Sequence, residues 1–234
     1  MRTTSTHWMA IVFLAAVSGA SGHAAEALAQ GVAAENLLYR PPLRGAPAKR
    51  VGGATRGMVE TRSPITLVAP THTGLTISEQ PALYWYMEQP SAGRMVLRLI
   101  ALDTAATVAE KALPESACAG FYRINLASEG VTLKPELNYR WQIAVFPADP
   151  QTSYATASAT IRYTNMVAPN ELSARPSAER RRVLAEAGIW YDVVDELMTQ
   201  LKLPDPASNP RGTLGGLLGQ VDIMDSLAKG PICY

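Results

Sequence analysis

The sequence predicts an α+β fold that is mainly β: a sandwich of short antiparallel strands over residues 63–165, then a C-terminal helical hairpin with a third helix over residues 166–234. Two observations carry this. Between Ser63 and Thr164, short apolar or alternating runs are separated by proline, glycine and aspartate, the punctuation of antiparallel strands. After Pro176 the apolar spacing changes from every second residue to the helical repeat of about 3.6.

The strands expected are Ile65 to Val68, Ala82 to Met87, Met95 to Leu102, Ala106 to Lys111, Phe121 to Leu126, Tyr139 to Phe146 and Ala155 to Tyr163. In the sixth, Tyr139, Trp141, Ile143 and Val145 share one face and Arg140, Gln142 and Ala144 the other, as a strand with one buried face requires. Leu133 and Pro135 ahead of Tyr139 resemble the tyrosine corner of immunoglobulin- and fibronectin-like sandwiches, where the tyrosine hydroxyl bonds back to the backbone. Trp85, after Pro81, resembles the buried tryptophan near the start of such domains. Trp85, Tyr139 and Trp141 are therefore expected to be structural.

For the helices, Ser177 to Ala187 has Glu179 in its first turn and Gly188 just past its end, ordinary boundary signals. Ile189, Trp190, Val193, Val194, Leu197, Met198 and Leu201 form an apolar stripe on a second helix, stopped by Pro204. The segment from Ala187 to Pro206 is similar to the second half of a tetratricopeptide repeat, in a single copy. A third helix is expected from Leu214 to Leu227, capping the hairpin.

Ahead of the sandwich, Arg2 precedes an apolar run from Trp8 to Val17 and a zone of small residues, the order of a signal peptide over residues 1–29. Cleavage is expected after Ala29, with Ala24 as the alternative. The run is too short to cross a hydrocarbon core of about 30 Å, so the mature chain is expected to be periplasmic or secreted and not transmembrane. Residues 30–62 form a basic, proline- and glycine-rich arm in which Arg40, Arg44, Lys49, Arg50 and Arg56 occur without an acidic residue from Tyr39 to Gly57. These cations could dock on an acidic partner, although a solvated linker explains the composition as well. A formal charge of +1 for 234 residues gives no global reason to expect nucleic acid.

Export makes Cys118 and Cys233 interpretable, because an oxidising compartment lets a disulfide persist. Two readings stand level, a bridge between them or two separate buried thiols. They lack the spacing of a metal site.

Chemistry is sparse. His7 and His23 fall within the signal peptide, leaving His72 alone in the mature chain, where a solvent-facing loop position is expected. No cofactor or metal is expected, and hydrolase-elbow, zincin, P-loop and dinucleotide patterns are absent. Asp192, Asp195 and Glu196 gather beside Trp190 and Tyr191, and paired carboxylates beside aromatics can bind or cleave sugars. Acids at these spacings opposite an apolar stripe are also what a solvated helix face looks like, and that reading is preferred. Trp190, Tyr191 and Asp192 remain the binding candidates here.

Five short motifs in order, Gly52-Gly53-Ala54-Thr55-Arg56-Gly57, Thr73-Gly74-Leu75-Thr76, Gln80-Pro81-Ala82-Leu83-Tyr84-Trp85, Tyr139-Arg140-Trp141 and Gly188-Ile189-Trp190-Tyr191-Asp192, resemble the bacterial family called domain of unknown function 928. Members commonly carry a cysteine shortly after the Thr-Arg-Gly motif, where this chain has Met58. The resemblance implies an exported protein encoded near envelope sensors of the CHASE2 type, and no catalytic residues. The expectation is a noncatalytic adaptor contacting an envelope protein, a membrane sensor among the candidates. The rivals are a carbohydrate- or envelope-polymer-binding module, which requires exposed tryptophans, and a hydrolase, which requires the three C-terminal acids to line a cleft.

Overall fold

The computed structural model describes residues 33–42, 53–54, 64–146, 148, 154–167, 169–204 and 208–234. Two sheets face one another. The larger runs in the order β1 (Gly53–Ala54), β9 (Ala155–Tyr163), β8 (Asn138–Phe146), β5 (Arg94–Ala101), β6 (Thr107–Leu113), with β3 (Gly74–Thr76) also on β9; the smaller runs β2 (Ile65–Leu67), β4 (Ala82–Met87), β7 (Gly120–Asn125). The first strand region is split between the sheets: β2 pairs antiparallel with β4, and β3 crosses to pair parallel with β9. This strand order and the split first strand make the sandwich immunoglobulin-like.

The alternation read from sequence sets the facing. In β5, Met95, Leu97 and Leu99 turn inward while Arg94 and Arg98 turn out; in the neighbouring β8 of the same sheet, Tyr139, Trp141, Ile143 and Val145 lie beside them on the same core-facing side. The tyrosine corner forms as expected: the Lys134 N–H donates to the Tyr139 hydroxyl at 3.0 Å.

One edge of each sheet is covered by separate pieces of chain, which hides backbone groups otherwise open to pairing. β1 and β3 line the outer edge of β9. Beyond β7, the segment around Ile232 adds a parallel bridge to Phe121, with the Phe121 N–H donating to the Pro231 carbonyl at 2.8 Å and the Cys233 N–H to the Phe121 carbonyl at 2.8 Å. Cys118 and Cys233 form a disulfide, Cα to Cα 6.2 Å, which ties this segment to the start of β7.

Four helices follow: α1 (Pro169–Ser173), α2 (Ser177–Glu186), α3 (Trp190–Gln200) and α4 (Pro210–Gly219), then a 3-10 turn over Asp225–Lys229. The single third helix expected from Leu214 to Leu227 is in fact two elements. Asp222 adopts a left-handed φ of 55° and the Ile223 N–H returns to the Leu218 carbonyl, a helix-ending hydrogen bond that starts a new turn. The short α1 carried no periodicity to read.

The helices share one hydrophobic core with the sandwich. α3 is buried along most of its length, and its first residues are driven into the sheets. The Trp190 indole N–H donates to the Val68 carbonyl at 2.9 Å, and the Trp141 indole N–H to the Tyr191 hydroxyl at 2.9 Å, so these two buried indole nitrogens each have an acceptor. Tyr191 fits only because Gly74 has no side chain: a Cβ there would lie 2.7 Å from its ring. Gly188, at φ 75°, makes the tight turn from α2 to α3.

Residues 33–42 form an extended strap across the helices. The Glu35 N–H donates to Thr213 Oγ1 and the Tyr39 N–H to Gln220 Oε1, both at 2.8 Å, while Gln220 returns a bond to the Leu37 carbonyl at 2.7 Å. Arg181, buried on α2, is held in a forked ion pair by the Glu35 carboxylate, with Glu196 at 3.7 Å.

Candidate functional site

The first residues of α3, the turn after β3 and the outer face of β4 and β7 enclose a small open-mouthed hollow of about 70 Å³. β7 presents Arg123 here, and Tyr84 on β4, which pairs with Arg123 across the strands and so shares its face, bonds to Asp195 beside the hollow. α3 contributes the adjacent Tyr191 and Asp192, and Asp195 one turn further on. Ser78, Gln80 and Asn125 complete the polar lining.

The two carboxylates are in different electrostatic situations. Asp195 Oδ1 accepts the Tyr84 hydroxyl at 2.5 Å and lies 3.4 Å from Arg123 Nη2, a cation that also sits over the Tyr84 ring at 5.9 Å. Asp192 Oδ2 accepts the Ile77 N–H at 3.2 Å and bonds the Thr76 side chain, but no cation is paired with it among the described residues. Burial therefore pushes the Asp192 pKa up to about 6, with Asp195 adding to the rise and the Thr76 and Ile77 hydrogen bonds opposing it. Burial, then the Asp195 charge, raises the Tyr84 phenol well above its ordinary value, so it stays a hydrogen-bond donor.

The preferred solvated-face reading of Asp192, Asp195 and Glu196 is corrected: each is engaged. Glu196 does not reach the hollow; it pairs with Arg180 and faces Arg181 on α2. The three acids therefore do not share a cleft. Trp190 and Tyr191 are core residues, 0% and 2% exposed. With Trp85 and Trp141 at 2% and 0%, no tryptophan among the described residues offers a face to a sugar ring, and the aromatic platform that a carbohydrate module required is missing. His72 is half-buried rather than free in a loop; its Nε2 lies 2.8 Å from the Tyr39 hydroxyl and its ring stacks on Tyr39.

Of the arm's cations, Arg40 is described: its side chain is exposed while its backbone N–H is fixed to the Ala185 carbonyl at 3.1 Å. Arg44, Lys49, Arg50 and Arg56 lie outside the described residues, as does the expected signal peptide. Sequence reasoning passed over Ser78, Arg123 and Asn125, which lie on strands and turns with no motif between them, and took Gln80 only as the first residue of the Gln80–Trp85 motif; only the fold brings them to α3.

The geometry also gives the family motifs a physical meaning. Leu75 bridges to Ile189, Tyr191 packs on Gly74 and bonds Trp141, Asp192 holds the turn after β3, and Asp195 takes the Tyr84 hydroxyl. Four of the five motifs thus converge around the first turns of α3.

No curated protein matches the chain. Among solved structures, a crystal structure of a DUF3244 family protein with an immunoglobulin-like β-sandwich fold from Bacteroides vulgatus ATCC 8482 matches at 21% identity, covering 49% of this chain and 98% of that one with a TM-score of 0.28. The fold assignment rests on strand order and register, not on that likeness. A family description, Domain of Unknown Function (DUF928), matches residues 51–232, and the chain accordingly belongs to the DUF928 family.

Proposed function

We propose that this is a noncatalytic interaction protein of the bacterial cell envelope, exported to the periplasm or beyond, which works by contacting another envelope protein; a membrane sensor is the first candidate partner. One observation supports this above others: among the described residues, the carboxylates and the arginine gathered at the start of α3 surround a hollow of about 70 Å³, well under the roughly 300–1,000 Å³ of pockets that enclose small-molecule ligands. Its acids are also committed to holding α3 on the sandwich, through Tyr84, Arg123 and the turn after β3. A rigid body with a shallow polar dimple suits recognition of a protruding group better than turnover of an enclosed substrate.

The test is a crosslinking pull-down of the mature protein from its native envelope, with and without residues 39–57. Recovery of one stoichiometric envelope protein supports the reading. Recovery of polymer alone, or of nothing, overturns it.

A further inference from the structure

We infer that the hollow between the turn after β3, β7 and α3 receives a primary ammonium group, presented by a lysine side chain of the protein partner. This names the partner chemistry for the interaction reading above and rests on it.

Charge balance selects a cation. The hollow holds two carboxylates and one guanidinium, and both that guanidinium and the Tyr84 hydroxyl converge on Asp195 Oδ1. Asp192 is left with hydrogen bonds but no counter-charge among the described residues. An anion would meet Asp192 and Asp195 at once, so a carboxylate or phosphate is disfavoured.

Size and donor count select ammonium among cations. The hollow is small, about 70 Å³, and an ammonium is the most compact cation that a protein side chain offers. Its three N–H donors match the acceptors on offer: the Asp192 carboxylate, Asp195, and the side-chain oxygens of Ser78 and Gln80. A guanidinium is a flat fork that needs a longer slot.

Asp192 also makes the site pH-dependent. The ionisable groups around it are Asp195 and Tyr191 on its own helix, Tyr84 on β4 and Arg123 on β7; β3 and its turn present Thr76, Ser78 and backbone. With a pKa near 6, Asp192 is charged at pH 7.5 and mostly neutral at pH 5. Ammonium binding should therefore weaken about tenfold between those values.

The experiment is an NMR titration of the full mature chain with n-butylammonium chloride at pH 7.5 and pH 5, with tetramethylammonium, which has no N–H, as control. Expected are saturable shifts at Ile77, Ser78, Asn125 and Asp192 with a Kd in the millimolar range, corresponding to about −4 kcal/mol. Binding should be about tenfold weaker at pH 5 and absent in Asp192→Asn. No saturation up to about 100 mM, an equal response to tetramethylammonium, or binding indifferent to pH in the wild-type chain would each overturn the inference. The pH comparison needs no variant, so a folding defect in Asp192→Asn leaves the test intact. N-acetyl-lysine methylamide must bind at least as tightly as n-butylammonium; tighter binding of glucosamine would overturn the assignment to a protein lysine in favour of an amino sugar. A failed titration removes the ammonium site alone, whereas a failed pull-down removes the interaction reading.

Discussion

Replacing Asp192 by asparagine is expected to remove a pH-dependent penalty on folding. The Asp192 carboxyl has a pKa of about 6 in the folded chain against a reference value of 3.8, so between those values the folded state holds a proton that the unfolded state has released. Stability from this group is thus greatest below about pH 4, declines as the pH rises, and levels off above about pH 6. Two pKa units correspond to about 3 kcal/mol, at about 1.4 kcal/mol per unit. Asparagine is nearly isosteric, its carbonyl can still accept the Ile77 N–H, and it does not titrate. The variant's stability relative to wild type should therefore rise by about 2–3 kcal/mol from pH 4 to pH 7. Urea unfolding of both chains across that range measures it, and taking the difference cancels the other carboxylates, including Glu110, whose pKa is lowered chiefly by its hydrogen bond to Arg98. A difference that stays flat, or falls with pH, would show that Asp192 is not held charged and buried on β3.

Other substitutions test the packing around α3. Tyr191→Phe strips the acceptor from the buried Trp141 indole N–H and should cost about 1–3 kcal/mol, read by urea unfolding; a loss below about 0.5 kcal/mol would mean that the nitrogen finds another partner. Gly74→Ala sets a methyl against the Tyr191 ring and should cost about 1–3 kcal/mol by overpacking, whereas Gly130→Ala, with nothing near it, should cost only its left-handed φ of 67°; equal thermal shifts would refute the steric account. Cys118→Ser with Cys233→Ser opens a link of sequence separation 115, worth up to about 4–5 kcal/mol by loop closure. Hydrogen exchange at the Phe121 amide and at the amide of position 233 should rise with it, and unchanged exchange there would mean that the backbone bonds alone hold the segment.

The sandwich strands were legible because their signal is local: alternation over six to nine residues, as in β8, fixes a strand and its buried face whatever lies opposite. The tyrosine corner was legible for the same reason, its parts lying within a few residues of each other. β3 showed only as the strand entry Thr73-Gly74-Leu75-Thr76, since three residues carry no period and its register depends on β9, far along the chain. The acids of α3 misled for a related reason. Asp192, Asp195 and Glu196 have the spacing of any polar helix face, and what burial Asp192 has comes from the turn after β3, which its own helix cannot announce. The break after α4 had a local trace in Gly219 and Asp222, outweighed by the apolar spacing that continues through Val221 and Leu227.

The strap over residues 33–42 bears on how fast this fold can be reached. The side-chain bonds from the strap to the helices join residues 146 to 183 positions apart, from the Arg181–Glu35 pair to the Gln220–Leu37 bond. Contacts so distant in sequence repay the entropy of loop closure only after the intervening chain has organised. The strap should accordingly dock last, onto helices already seated on the sandwich, so that refolding after dilution from denaturant shows a slow final phase reported by Tyr39 and Trp190, whose rings meet edge to face at 5.0 Å.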